Sequence, residues 1–204
     1  MKKTTTFLLS LMMACSVQAH MLWLERGSDQ KTKAFFGEYS EQVQETQEGA
    51  LKSFNETFAL QNQNKIKANT SQSDHLLFDT KGNTDVQLSH QLIYGDALLS
   101  YHAKTGRLDL TGKSELDISP ITPNSNTFIV LYQGKAVSDL KIKVFAPNRW
   151  EKNYKTNPDG KVTIETPWQG QYIIEVATES DQAGTFNQQP YKKHYLVTTL
   201  SFNH

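Results

Sequence analysis

The sequence predicts an all-β protein built from two sandwich-like domains. Short segments that are rich in β-branched or aromatic residues, or that alternate apolar with polar residues, recur along the chain between polar or Gly-containing turns. Before Pro120 no stretch carries a long apolar stripe of 3.6-residue period, and the nearest exception, Glu41–Phe58, predicts only a short helix or a loop excursion. Apolar residues make up 37% and aromatic residues 10% of the chain, which is typical of a folded protein rather than a disordered one.

Length, charge and cysteine content exclude several classes of function. A chain of 204 residues is long enough for one or two domains with a buried core. Its 21 basic and 21 acidic residues balance, so no net field attracts nucleic acid, and a nucleic-acid partner is not expected. The single cysteine, Cys15, excludes a disulfide framework and a CxxC zinc or redox site. Any chemistry must therefore come from histidines, carboxylates and aromatic side chains.

Residues 1–19 have the pattern of a cleavable signal peptide. Two lysines near the start form a basic region, and the apolar run Phe7–Val17 is too short to span a bilayer. Small residues stand one and three positions before a cleavage site after Ala19, so we expect a periplasmic mature chain that begins at His20 and has no transmembrane segment. This cleavage would remove both lysines and Cys15, leaving a thiol-free chain with a net charge of −2. Processing at Cys15 as a lipoprotein is the alternative, although Met replaces the usual Leu before it.

Residues 20–122 are expected to form an N-terminal β domain. The stretch PITPNSN, which begins at Pro120, interrupts the strand pattern because proline lacks an amide donor and the neighbouring Asn and Ser favour turns. We therefore place the domain boundary at this stretch. The strands predicted before it are MLWLE, KAFFGEY, FALQNQ, KIKAN, HLLFDT, DVQLSHQLIYG, DALLSYHAK and RLDLTG.

Residues 123–204 are expected to form a small C-terminal β-sandwich. Within LKIKVFA, Leu140 and Ile142 share one face while lysines occupy the other, as in a half-buried antiparallel strand. NPDG predicts a turn, because Gly160 can adopt a positive φ and the Asp159 side chain can bond to its own backbone. The other predicted strands are TFIVLY, KVTIET, GQYIIEVAT and HYLVTTLSF.

Several motifs of the chain form a specific combination. They are HMLWLE at the expected mature start, FFGEY, YGDALLSYHAK, GKAVSDLKIKVFAP, NPDGKVTIETPWQGQYIIEV and YLVTTLSF. Together they resemble a secreted bacterial family of unknown function that is often filed as periplasmic components of nickel or cobalt uptake. The resemblance covers essentially the whole expected mature chain, and it implies two β domains, the second similar to transthyretin-like or collagen-adhesin B-type sandwiches. It also implies a role in handling a transition metal, with a membrane metal transporter as a partner.

His20 is the most informative residue of the expected mature chain. At a mature N-terminus it offers two nitrogen ligands, the α-amine and Nδ1 of the imidazole, which can close a chelate ring on a divalent metal ion. This arrangement resembles the start of periplasmic copper-binding proteins and of lytic polysaccharide monooxygenases. Nickel, cobalt and copper are the candidate ions. The Irving–Williams order predicts the highest affinity for copper, so nickel or cobalt would bind only where these ions are more available than copper.

A chelate at His20 needs at least one further ligand. No two histidines form an H-x-H or H-E-x-x-H pair, so sequence spacing does not name the partner. Strand alternation places His102 on the face opposite Tyr101, where it would face solvent or line a groove between the domains. His194 begins the last strand, which a transthyretin-like sandwich could bring near the first strand. The other histidines available are His75, His90 and His204.

Carboxylates are the alternative ligands. Glu25 lies five residues after His20, and Glu38 lies in the family motif FFGEY beside Gly37, which permits a close backbone approach. Glu38 therefore either lines a metal site or caps a turn. The candidate metal ligands are His20, His102, His194 and Glu38.

Two further functions fit the sequence. One is an envelope or adhesion scaffold without a metal, which the likeness to collagen-adhesin modules favours. The other is a copper oxygenase similar to the polysaccharide monooxygenases, which would present a flat aromatic surface around His20. The chain has no G-x-S-x-G motif, no glycine-rich phosphate loop and no usable cysteine nucleophile, so a conventional enzyme is not expected.

Overall fold

The computed structural model describes residues 20–204, so the predicted signal peptide and the alternative lipoprotein site at Cys15 lie outside the described residues. The described part is all-β, as predicted. A 3₁₀ helix, Ala50–Phe54, lies in the segment for which a short helix or loop was expected. The strands are β1 (Met21–Arg26), β2 (Thr32–Glu38), β3 (Val43–Gln44), β4 (Phe58–Gln61), β5 (Asn64–Lys67), β6 (Leu76–Phe78), β7 (Val86–Tyr94), β8 (Ala97–Thr105), β9 (Leu116–Pro120), β10 (Thr127–Tyr132), β11 (Lys135–Ala136), β12 (Lys141–Phe145), β13 (Glu151–Lys155), β14 (Lys161–Thr163), β15 (Gln171–Ser180), β16 (Gly184–Phe186), β17 (Gln189–Tyr191) and β18 (Lys193–Asn203).

An eight-stranded sheet is the largest layer. Its strand order is β13-β12-β15-β18-β8-β7-β4-β5, and neighbouring strands are antiparallel except β18 and β8, which run parallel. A second sheet has the order β1-β2-β3, with β6 added to β2. A third has the order β11-β10-β14, with β9 added to β10, and β16 pairs with β17 as a separate hairpin. Within residues 20–204 no helix is long and apolar enough to cross a membrane.

Two hydrophobic cores lie on opposite faces of the eight-stranded sheet. Successive side chains of a strand point to opposite faces, and neighbouring residues of β15 and β18 divide accordingly. Ile173 and Val197 pack in the core that β1 and β2 cover, whereas Ile174 and Leu196 pack in the core that β9 and β10 cover. Where β15 and β18 are buried on both faces, apolar residues occupy consecutive positions, as at Ile173–Ile174 and Leu196–Val197.

Buried hydroxyl groups tie β1 to β18 and so fix the start of the described chain. Thr199 donates its hydroxyl hydrogen to the carbonyl oxygen of Leu22 at 2.7 Å, and Ser201 donates to that of Leu24. Both hydroxyls are buried, so each hydrogen bond satisfies a group that water does not reach. The residue before β1, His20, is therefore held at the end of a well-anchored strand.

The boundary expected between residues 122 and 123 falls between two strands that the structure pairs. β9 is antiparallel to β10, and its residues Leu116 and Ile118 belong to the core of the C-terminal half. β18, the last strand, pairs with β8 of the N-terminal half. The two halves thus share one sheet, and the core of the C-terminal half includes residues from Leu116 onward.

Candidate functional site

His20 lies at the edge of the β1-β2-β3 sheet, between a buried aromatic ring and solvent. Its imidazole packs on Phe36, with 5.2 Å between ring centroids, and its side chain is 33% exposed. Phe36 itself is buried, since it belongs to the core on this face. The ring of His20 is therefore fixed on one side by the core and remains accessible on the other.

Two glutamates flank the His20 imidazole. Oε1 of Glu45 lies 2.7 Å from Nε2, and Oε1 of Glu38 lies 3.7 Å from Nδ1. The backbone places them there because Glu38 pairs with Val43 at the end of β2, and the amide of Glu45 donates to the carbonyl oxygen of Phe36 at 2.8 Å. Glu38 and Glu45 thus come from the two sides of one short hairpin.

Gly37 is required for this hairpin to close. Its φ is +146°, and a Cβ at this position would collide with the backbone carbonyl of Val43. Only glycine therefore permits β2 and β3 to approach as they do beside Glu38. The close backbone approach expected for Gly37 is confirmed.

Glu45 determines which nitrogen of His20 carries the hydrogen. An ionised carboxylate only accepts hydrogen bonds, so the 2.7 Å contact requires a hydrogen on Nε2. In the tautomer that carries only this hydrogen, the lone pair is on Nδ1, the nitrogen that faces Glu38. The second oxygen of Glu45 accepts from the amide of Ala50 at 3.3 Å, which holds the carboxylate in position. Glu45 was not predicted from the sequence, and its only signal was its place in the irregular segment after β3.

The donor set around His20 suits a borderline divalent cation only if the α-amine takes part. Among residues 20–204, no three His, Cys, Asp or Glu side chains are arranged so that they could hold a metal ion. Imidazole and carboxylate are nonetheless the ligand types that nickel, cobalt, copper and zinc accept in proteins. A metal at His20 would therefore need a ligand that is not a side chain, and an N-terminal amine on His20 is such a ligand.

His102 and His194 do not belong to this site. Both lie on the face of the eight-stranded sheet that carries the C-terminal core. On β18, Thr198 and His194 point away from the face of Val197, because residues an odd number of positions apart point to opposite faces. His102 is the partner of Thr198 on β8 and therefore shares its face. His20 lies on the opposite face, where Phe36 contacts Tyr101. The structure therefore does not bring either histidine together with His20, because the sheet separates them.

His90 shares the face of His20 but is separated from it by aromatic rings. Its imidazole packs on Phe54 with 4.2 Å between centroids, and Phe54 in turn packs on Phe36 at 4.6 Å. Burial lowers the pKa of His90. His90 is therefore a core histidine rather than a ligand of the candidate site.

His102 belongs to a buried polar cluster between the sheets. Its Nδ1 lies 2.7 Å from Oγ of Ser89, and its Nε2 lies 3.9 Å from Oδ2 of Asp117. Lys104 reaches Asp117 at 3.5 Å and donates to Ser119 at 3.1 Å. Lys104 and Asp117 are each 1% exposed. His102 is 8% exposed, so it is largely buried, and it contributes to the lining of a cleft on this face of the sheet.

Burial governs the titration of this cluster. It lowers the pKa of His102 to about 4, against the opposing effect of the Asp117 charge, and Lys104 lowers it further. Burial also opposes ionisation of Asp117, but Lys104, His102 and the hydroxyls of Ser119 and Ser114 outweigh it and hold the pKa of Asp117 below its usual range. At neutral pH the cluster therefore contains a neutral imidazole beside a Lys–Asp ion pair.

We expect the protein to lose stability as the pH falls from about 6.5 to about 4. In this window His102 is protonated in the unfolded chain but not in the folded one, so the unfolded state binds more protons and the free energy of unfolding falls. The pKa shift corresponds to about 3 kcal/mol of the free energy of unfolding. This contribution is fully present above pH 6.5 and is lost by about pH 4. His90 contributes in the same direction, because its pKa is also lowered.

Urea unfolding at pH 7 and pH 4.5 measures this loss. The difference in the free energy of unfolding between pH 7 and pH 4.5 should shrink in a His102→Gln variant. It should stay unchanged in a His204→Gln variant, because the side chain of His204 is exposed. Comparing the two pH values within each variant removes any general destabilisation caused by the substitution. Equal pH dependence in the wild-type and His102→Gln proteins would show that His102 does not titrate as described.

Comparison with protein-family models, with curated proteins and with solved structures finds no match to this chain. The resemblance to the secreted bacterial family therefore rests on the sequence motifs alone.

Proposed function

We propose that the protein is a periplasmic accessory protein that binds one divalent transition-metal ion, nickel, cobalt or copper, through the N-terminal His20. The observation that carries this proposal is the position of the His20 imidazole between two carboxylates, with Nε2 2.7 Å from Glu45 and Nδ1 3.7 Å from Glu38. Nδ1 is the ring nitrogen that can share a chelate ring with the α-amine. Cleavage after Ala19 would supply that amine.

Each residue of the site has a distinct role in this proposal. His20 supplies the α-amine and Nδ1, and Glu38 supplies a carboxylate oxygen 3.7 Å from Nδ1. Ligand bonds of about 2 Å on each side of a cation are compatible with a separation of this size. Glu45 holds the imidazole from its other nitrogen, as carboxylates commonly do for metal-binding histidines. The bound ion would supply a positive charge that two carboxylates offset.

Partial exposure of the site supports uptake and release rather than permanent storage. The side chains of His20, Glu38 and Glu45 are 33%, 22% and 26% exposed. A ligand exchange with another protein requires such access, because the receiving ligand must reach the ion. A membrane metal transporter is the partner proposed, in keeping with the family that the sequence resembles.

The aromatic surroundings of His20 favour metal binding over the copper oxygenase. The ring that contacts His20 is Phe36, and it is only 5% exposed. It therefore contributes to the core rather than to a flat surface on which a polysaccharide could lie. The scaffold alternative is distinguished by stability, because an ion at a hundred times its dissociation constant should add about 2.7 kcal/mol, whereas a metal-free scaffold should show no change.

Titration with Cu²⁺ and Ni²⁺ tests the proposal. The chain of residues 20–204 should bind one equivalent, and the same chain with the α-amine of His20 acetylated should lose most of this affinity because the amine can no longer act as a ligand. The two proteins share every side chain, so the comparison isolates the amine. Equal affinity in the two proteins would show that His20 does not act as an N-terminal chelate.

The glutamates give a second prediction. Glu45→Ala should weaken metal binding about 10–100-fold, because the imidazole loses the partner that fixes its tautomer and orientation. Glu38→Ala should weaken it by at least as much through loss of a ligand. Glu48→Ala serves as the matched control, since Glu48 is an exposed carboxylate in the same segment. Isothermal titration calorimetry measures the metal affinity of all three variants. An equal loss of affinity in Glu48→Ala and Glu45→Ala would show that Glu45 acts only through its negative charge and not through its contact with His20.

A further inference from the structure

A cleft of about 530 Å³ lies on the sheet face opposite His20. Its volume is in the range of sites that bind small organic molecules. Strands β4, β7, β8 and β18 form its floor, and the segment that enters β9 and the β16-β17 hairpin contribute its walls. The polar side chains among its lining residues include Ser89, Gln91, Ser100, His102 and Glu115.

Ser100 in this cleft forms a hydrogen bond with a buried histidine. Its Oγ lies 2.7 Å from Nε2 of His194, whose side chain is 8% exposed. Nδ1 of the same imidazole lies 4.0 Å from Oε2 of Glu115, an ion-pair distance. The strands bring these groups together from distant parts of the sequence, because β18 lies parallel to β8 with Leu196 opposite Ser100, and His194 is two positions from Leu196 on the same face.

The arrangement directs the hydroxyl hydrogen of Ser100 toward His194. A carboxylate near Nδ1 favours the tautomer with its hydrogen on that nitrogen, which leaves the lone pair on Nε2. Gln91 donates its side-chain amide to Oγ of Ser100 at 2.7 Å, so the hydroxyl oxygen already accepts one hydrogen bond. Its own hydrogen is then available to Nε2 of His194.

We propose that Ser100 is a nucleophile and that the cleft catalyses acyl transfer from small carboxylic esters. Oγ of Ser100 would attack the ester carbonyl carbon while its hydrogen passes to Nε2 of His194. The ester C–O bond then breaks, and His194 returns the hydrogen to the departing alkoxide to give an alcohol. Water then attacks the acyl carbon of the acyl-serine while His194 accepts one of its protons. The bond between the acyl carbon and Oγ breaks, and His194 passes this proton to Oγ, which releases the carboxylic acid and restores Ser100.

Glu115 and Gln91 have supporting positions in this reaction. Glu115 is a positioning residue that would stabilise the imidazolium formed on His194, and such hydrogen bonds are often long without substrate and shorten when it binds. The Gln91 amide is an N–H donor next to the nucleophile, where negative charge develops on the carbonyl oxygen.

The walls of the cleft indicate the substrate class. Phe58 and Leu60 are 44% and 41% exposed and lie on β4, and Phe186 of β16 lines the cleft as well. These side chains offer an apolar surface next to Ser100. The cleft therefore suits an ester with a short apolar acyl chain.

Ser89 provides an internal comparison. It lies in the same cleft and is also hydrogen-bonded to a histidine, at 2.7 Å from Nδ1 of His102. His102 is part of the buried cluster with Lys104 and Asp117, and burial disfavours the protonated imidazole that catalysis would require. Ser89 should therefore not react as Ser100 does.

Labelling with an alkyl fluorophosphonate tests the proposal. Metal-free protein of residues 20–204, kept in chelator so that no bound ion contributes, should gain one phosphonyl group on Ser100, detected by intact mass and peptide mapping. Ser100→Ala should abolish the adduct, and Ser89→Ala should retain it. Absence of an adduct on the wild-type protein, or an adduct that persists in Ser100→Ala, would overturn the proposal.

His194→Gln tests the role of the base. It should slow labelling at pH 7 about 100-fold or more, and the rate should recover as the pH is raised, because hydroxide replaces the lost base. A purely structural role for His194 predicts no such recovery. The wild-type and Ser89→Ala proteins should hydrolyse p-nitrophenyl butyrate, His194→Gln should do so slowly at pH 7, and Ser100→Ala should not. Equal rates of hydrolysis in Ser100→Ala and wild type would contradict the assignment of Ser100 as the nucleophile.

Discussion

Replacing Phe54 with alanine should lower the free energy of unfolding by about 3–5 kcal/mol. Phe54 is completely buried at the end of the 3₁₀ helix. Its ring contacts Phe36, Tyr101 and His90 at centroid distances of 4.6, 6.2 and 4.2 Å. Alanine would leave a cavity among these rings, which the β-sheets on either side cannot close by a small shift.

Phe58→Ala is the matched control for this prediction. Phe58 lies four residues later and is 44% exposed, so its removal leaves no cavity and should cost less than about 1 kcal/mol. Urea unfolding monitored by circular dichroism measures both variants. A loss in Phe54→Ala no greater than that in Phe58→Ala would contradict the description of this core.

Replacing Asp117 with alanine should also cost about 3–5 kcal/mol, for an electrostatic reason. Lys104 is 1% exposed, and Asp117 is the carboxylate that accompanies it in the same buried space. Without Asp117 the ammonium remains buried with Ser119 as its hydrogen-bond partner. Breaking a buried ion pair from one side is strongly destabilising, because the remaining charge is not compensated.

Two further variants separate charge from packing at this position. Asp139→Asn removes a carboxylate that pairs with Lys155 but is 81% exposed, and it should cost less than about 1 kcal/mol. Adding Lys104→Met to Asp117→Ala should restore part of the lost stability, because the stranded charge is gone. No recovery in the double variant would mean that Asp117 stabilises the protein through its bonds to the Lys113–Ser114 segment rather than through Lys104.

The fold class could be predicted from the sequence because its evidence is local. Alternation in LKIKVFA and the turn signal of NPDG depend only on neighbouring residues, and β12 and the turn before β14 appear where they were expected. The boundary predicted between residues 122 and 123 rests on local turn signals, which do not report that β9, before it, pairs with β10 after it. The parallel pairing of β18 with β8 joins residues 96 positions apart, and no local pattern reports it.

The candidate site was predictable in part for the same reason. Glu38 could be named because its motif places it next to Gly37, whereas Glu45 reaches His20 through a hairpin whose closure is not evident in the residue order. Alternation correctly separated His102 from Tyr101, but it does not tell which layer covers each face. Alternation alone therefore does not reveal that His102 and His194 lie away from His20, and their hydrogen-bond partners, Ser89 and Ser100, could be recognised only from the structure.

Determining the first residue of the exported chain tests the central claim most directly. The protein should be produced with its own residues 1–19 in a bacterium with a periplasm, purified from that compartment without a tag at the N-terminus, and analysed by intact mass and N-terminal peptide sequencing. A chain that begins at His20 is the expected result, because only then does the α-amine lie on the residue whose Nδ1 faces Glu38. A chain that begins at a lipid-modified Cys15, or that keeps any residue before His20, would contradict the N-terminal chelate.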